Sequence, residues 1–146
     1  MPLNISFVAG SYAWKTLHDT GIVLAGGSDA PVEEPNPCFG IYDAIYRHAP
    51  RPKPVAGELG DSPNAADNAQ NSAFRPEECL PVGVAVDAFT QGSAWAAGRD
   101  QQMGKIAEGY WADFVVVEGD TDVIGDPRKW LNVRFSQVWV GGVKRN

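Results

Sequence analysis

The apolar positions of this chain change texture three times, and each texture predicts a different element. Over residues 11–20 (SYAWKTLHDT), Ala13, Trp14 and Leu17 share one helical face, Ser11 is a candidate N-cap and Gly21 a candidate stop. Ile22-Val23-Leu24-Ala25 follows at once, apolar on both faces and closed by Gly26-Gly27. That pattern predicts a buried central strand of a parallel sheet. A polar turn, Ser28-Asp29-Ala30-Pro31, comes directly after it. Helix, turn, buried strand and polar loop in this order form the unit of α/β barrels.

Residues 37–49 predict a second helix, with Phe39, Tyr42, Ile45 and Tyr46 as its aromatic-rich face. Residues 50–75 lose all period and gain Pro and Gly, which predicts a long surface loop. Arg75-Pro76-Glu77-Glu78 is a helix-start signal, with Pro tolerated in a first turn and carboxylates suited to the helix dipole. Residues 82–90 have strand-like composition, yet Val82, Ala85 and Phe89 stand at i, i+3 and i+7, so a helix is expected. Gly83 and three valines make it one held by packing more than by propensity. A second short helix is expected from Ser93 to Ala97, stopped at Gly98. Beyond Gly104 the texture turns to β, with candidate strands at 105–106, 112–117, 135–140 and 143–145, and a hairpin across Gly141-Gly142. The chain therefore divides into an α/β part, 1–103, and a β part, 104–146.

Composition narrows the class. With 44% hydrophobic residues in 146, the chain can offset its conformational entropy and build a core. A net charge of −6 without a Lys/Arg cluster repels phosphate backbones and anionic lipid, which argues against a nucleic-acid partner. No apolar run approaches the roughly 20 residues of a membrane helix, and the first residues show no export signal, so a cytoplasmic protein is expected. Cys38 and Cys79 form neither a disulfide framework nor a zinc-ligand spacing.

Asp29 is the leading candidate for chemistry. It sits just past the carboxyl end of the one strongly apolar strand, where parallel α/β architectures gather their sites. A carboxylate there either ligates a metal and takes a proton from water, or simply caps the turn. His18 and His48 stand on predicted helices, where a lone histidine is more often a packing or surface residue than a ligand. Gly26-Gly27-Ser28 carries no phosphate-loop lysine, and no serine sits in a nucleophile elbow. The five tryptophans read as packing anchors.

Five ordered blocks carry a resemblance. Residues 21–32 (GIVLAGGSDAPV), 37–42 (PCFGIY), 88–98 (AFTQGSAWAAG), 104–117 (GKIAEGYWADFVVV) and 138–142 (VWVGG) resemble motifs of the amidohydrolase superfamily, in its YtcJ-like branch, amidohydrolase family 3. The resemblance implies the last part of a metal-dependent hydrolase TIM barrel followed by strands of a small β-sandwich. It implies hydrolysis of C–N bonds in a small-molecule substrate with a divalent metal, zinc by expectation. It implies for Asp29 the roles of metal ligand and general acid/base. The family's other ligands, a His-x-His pair, a carboxylated Lys or a Glu, and two further His, have no counterpart in these residues. The isolated chain is therefore expected to be inactive and metal-free. It is also expected to pair with itself, since barrel faces without neighbours leave strand edges and apolar surface open. The alternative is a stand-alone, non-catalytic ligand-binding or oligomerising module built from the same fold.

Overall fold

A carboxylate far along the chain, and not a local cap, starts the first helix. The computed structural model describes residues 10–47, 73–118 and 127–145. Helix α1 (Trp14–Asp19) begins after Ala13, which has no side chain able to cap it. The expected cap, Ser11, lies two residues before the N-cap position Ala13, and its carbonyl instead accepts from Arg75 Nη1 at 2.8 Å. The open first turn is satisfied by Glu78, which accepts from the Thr16 hydroxyl at 2.6 Å and the Thr16 backbone N–H at 2.9 Å. Those two hydrogen bonds, with Arg75 Nη2 at 3.2 Å, hold the Glu78 carboxyl below the usual carboxylate range. Gly21 ends the helix as expected, at φ +86°.

Helix α2 (Pro37–Tyr46) is capped by the Asn36 side chain, which accepts from the Cys38 N–H at 3.0 Å, with Pro37 in its first turn. It ends where Arg47 turns left-handed at φ 58°. The face it buries is Cys38, Ile41 and Ala44 rather than the expected aromatic one. The Tyr42 and Tyr46 rings lie 4.9 Å apart, tilted by 30°, and stay half-buried. Arg47 itself is buried, with its guanidinium 4.5 Å from the Trp14 ring centre and its Nε donating to the Phe74 carbonyl at 2.9 Å. This stacked cation ties α1, α2 and the 73–75 segment together.

The Arg75-Pro76 signal yields one tight 3-10 turn, Pro76–Glu78, before Leu80 and Pro81 lead into the next rod. Helices α3 (Val82–Asp87) and α4 (Ser93–Ala96) are not separate, as expected, but joined by a π-helical turn, Ala88–Gly92. Ala85 is fully buried and Ala88 nearly so, while Gly83 faces open space. The core gathers Ile41, Ala44, Leu80 and Ala85, flanked by Trp14, Leu24, Phe89 and Trp130. Trp130 comes from a 3-10 turn, Pro127–Asn132, that the sequence pattern did not signal.

In the β part, β1 (Phe114–Glu118), β2 (Arg134–Val140) and β3 (Val143–Lys144) make an antiparallel sheet in the order β1-β2-β3. Phe114 lies opposite Trp139, and their rings stack at 5.5 Å. The register slips between Val116 and Val117. The expected hairpin is present, with Gly141 and Gly142 both at positive φ, which only glycine adopts without cost.

Two expected strands are corrected. Residues 105–106 form none, and Ile106 is 88% exposed. Residues 22–27 run extended but are not a strand, with Ile22 and Val23 about half exposed. A strand exists only through its neighbours' backbone, and no strand lies beside this segment among the described residues. One side of it does pack. Gly92 meets the Leu24 carbonyl so closely that an added Cβ would stand 1.9 Å from that oxygen, and the Gly26 N–H donates to the Ala88 carbonyl at 2.8 Å. The predicted loop over 50–75, up to residue 72, and His48 lie outside the described residues.

Gly92 and Gly83 make a matched test of this packing. Gly92→Ala drives a methyl into backbone and is expected to cost more than about 2 kcal/mol. Gly83→Ala, in open helix, is expected to stabilise by up to about 1 kcal/mol. Urea unfolding followed by circular dichroism reads both, and equal effects would refute the close approach.

Candidate functional site

Asp29 is reached by a backbone that turns sharply. It adopts φ +52°, a left-handed conformation that Asp tolerates better than most residues, and its carbonyl accepts from the Val32 N–H at 2.9 Å. Upstream, Gly26 is pressed against Phe89, with room for no side chain: an added Cβ would lie 2.5 Å from the ring. Gly40 on α2 is held against the other end of the same ring. Phe89 is thus a wedge between the 24–29 segment and α2.

Above this wedge lies a cavity of about 380 Å³. Its base is the backbone from Leu24 to Asp29, its walls include Trp14, Leu80 and Phe89, and Val32 and Glu33 also line it. The carboxylates of Asp29, Glu33 and Asp43 all line it. Asp29 itself is exposed. Asp43 is half-buried, and its Oδ1 is sealed from solvent without a hydrogen-bond donor. Burial first, and the Glu33 carboxylate second, push the Asp43 pKa up to about 6. A second groove, of about 420 Å³, runs past Gly21–Leu24 and is lined by His18, Asp87 and Trp95 among others.

The structure thus brings Asp29 to a cavity and leaves His18 out of it. Glu33 and Asp43 were missed by the sequence reading. Asp43 had a signal in principle, because it adjoins the buried Ala44 on a helix whose faces are otherwise apolar. A divalent metal needs three or four protein donors in a zinc-type site. Among the described residues no group of three or more His, Cys, Asp or Glu converges to hold an ion, so the donors here do not make up a complete metal site. Cys38 and Cys79 are free, and burial raises both thiols. Among the described residues no helix is long and apolar enough to cross a membrane.

The Ser-Asp-Ala-Pro turn thus reaches a cavity edge after helix α1, and an antiparallel sheet follows later in the chain. The description "Amidohydrolase family" matches residues 5–144, and the chain belongs to that family, in its amidohydrolase family 3 branch. It is similar to "Putative amidohydrolase YtcJ" of Bacillus subtilis (strain 168), 39% identical over 132 residues, which are 90% of this chain and 22% of that protein. It is also similar to "Protein LONG AFTER FAR-RED 3" of Arabidopsis thaliana, 28% identical over 135 residues, which are 92% of this chain and 20% of that one. The chain spans about a fifth of the length of these relatives. No solved structure matches it significantly.

The cavity carries a pH prediction. Because the folded Asp43 pKa of about 6 lies above its ordinary value of 3.8, the folded state binds more protons between those limits. Stability therefore falls as pH rises from about 4 to about 6. Asp43→Asn removes that ionisation. Its melting temperature, relative to the parent, is expected to improve by about 2–4 °C between pH 4 and pH 7. A pH-independent difference would show that Asp43 ionises as freely folded as unfolded.

Proposed function

We propose that the chain supplies one part of a metal-dependent amidohydrolase that hydrolyses C–N bonds in small molecules, and that Asp29 is its catalytic contribution. The observation that carries this reading is the placement of Asp29, at a cavity edge, directly after an extended segment that lacks strand neighbours among the described residues. In this reading the 22–27 segment is a barrel strand awaiting its neighbours, and β1–β3 belong to a small sandwich. Residues 1–103 and 104–146 correspond to those two parts. The sparse core supports it as well: the buried apolar set is mostly alanine, while Ile22, Val23, Trp95 and Val115 stay about half exposed. Surface of that kind marks a docking face.

The chemistry assigned to Asp29 is its own. As a carboxylate it takes the proton from an attacking water and returns it to the departing nitrogen, so that one C–N bond is exchanged for a C–O bond. A divalent metal, zinc in this reading, needs further donors beyond the described residues. The isolated chain is accordingly proposed to be inactive, with a cytoplasmic setting.

Fusing the chain in place of the matching segment of the Bacillus subtilis relative tests this directly. With zinc added, the fusion is expected to hydrolyse members of a panel of open and cyclic amides. Asp29→Asn should reduce its kcat by roughly a hundredfold or more. Turnover by the isolated chain, or a fusion indifferent to Asp29→Asn, would overturn the reading.

A second reading, an oligomerising module without catalysis, is favoured by the same open segment. The N–H groups of Val23, Leu24 and Ala25 have no partner among the described residues. Two copies can pair these edges about a two-fold axis. Light scattering at micromolar concentration is expected to give a dimer, and a compact monomer of 15.7 kDa would exclude self-pairing.

A further inference from the structure

Asp29 is only as well placed as the backbone that delivers it, and Gly27, just upstream, has nothing within 4 Å that its missing side chain would touch. The fixed point lies one residue earlier. Both peptide groups of Gly26 are held by the π turn: its N–H donates to the Ala88 carbonyl at 2.8 Å, and its carbonyl accepts from Ser93 Oγ at 2.9 Å. Ser93 Oγ also lies 2.9 Å from the Ala88 carbonyl, so its single proton is shared between two carbonyls that the hydroxyl holds side by side.

We propose that Ser93 is a positioning residue for Asp29, its hydroxyl holding Gly26 against the π turn and so setting the direction in which the chain enters the Ser28-Asp29 turn. The proposal rests on the catalytic reading of Asp29 for its functional meaning.

The ordinary role of a helical serine or threonine is to bond a carbonyl of its own helix four residues back. Thr90 does this, donating from its hydroxyl to the Val86 carbonyl at 2.9 Å. Ser93 differs in two ways. The carbonyl it reaches on its own rod is five residues back, and it also reaches across to another segment, 67 residues away in sequence. The π turn makes this geometry available, because its wider winding changes which carbonyls the following residues meet. Gly92 completes the fit, since any side chain there would push the rod off Leu24. Beyond Asp29 the Val32 N–H closes the turn. The aspartate is therefore held from both sides, and beside the Phe89 ring against Gly26 the Ser93 hydroxyl supplies the side-chain hydrogen bond in that hold.

NMR on the full chain, without metal or substrate, tests the clamp. The three-bond coupling between the amide and Cα protons of Asp29 reports its left-handed φ, and amide exchange reports the Gly26 N–H. Ser93→Ala is expected to shift the Asp29 coupling out of the left-handed range and speed Gly26 exchange roughly tenfold, the size of one lost neutral hydrogen bond. Amides of β1 and β2 should keep their protection. Ser93→Thr, which keeps the hydroxyl, should restore both signals. Should Ser93→Ala fail to fold, Ser93→Cys keeps the volume while losing most of the donor strength, and the same two signals decide. An unchanged Asp29 coupling in a folded Ser93→Ala or Ser93→Cys chain would overturn the proposal. That null result would leave the proposed reaction untouched, whereas an inactive fusion with an intact clamp would count against the reaction alone.

Discussion

The approach of one rod to one extended segment governs the helical part of this protein, where the described residues up to 103 hold no strand of the expected α/β arrangement. Between Leu24 and Gly26 the backbone lies against the turn from Ala88 to Ser93, so closely that the Leu24 carbonyl excludes a side chain on Gly92 and the Phe89 ring excludes one on Gly26. A contact this tight works only if the helix is locally unwound, and the π turn supplies that unwinding. From this seam the other placements follow. Phe89 projects from the turn to separate Gly26 from Gly40, which sets where α2 stands, and α2 in turn contributes Asp43 to the cavity.

A second constraint works at the other end of the cavity. Buried ionic groups are costly unless paired or hydrogen-bonded; Glu78 meets that condition, and Arg47 meets it through Nε and its stacking while its Nη2 has no acceptor among the described residues. Glu78 caps a helix 62 residues earlier in sequence, and Arg47 stacks on Trp14 while donating to the Phe74 carbonyl. Each joins elements distant in sequence. That matters in a chain whose buried apolar residues are mostly small. Where hydrophobic burial is sparse, a few directional contacts must define the arrangement, and they leave Tyr12, Ile22 and Trp95 exposed.

The exposed segment and the incomplete donor set express one property. A barrel strand is stabilised by two flanking backbones, and a metal site by ligands drawn from several strands. This chain spans about a fifth of its relatives' length. Its cavity is lined by three acidic residues, Asp29, Glu33 and Asp43, and burial first and the Glu33 charge second raise the pKa of Asp43.

What the sequence determined by itself was local or motif-borne. Helical spacing located α1, α2 and α3, the Gly141-Gly142 pair located the hairpin, and the Gly-Ser-Asp-Ala-Pro block was among the motifs that identified the family. These were legible because period, turn chemistry and short motifs involve neighbours in sequence. Tertiary structure alone decided the rest. Ile22-Val23-Leu24-Ala25 has the composition of a buried strand, yet pairing depends on partners that the composition cannot supply. The start of α1 depends on Glu78, the burial of α2 on Cys38 and Ala44 rather than its aromatic residues, and the union of α3 with α4 on a π turn fitted to Leu24. Each of these joins residues distant in the chain. Long-range contacts of that kind are set by packing geometry, which leaves no period in the sequence to read.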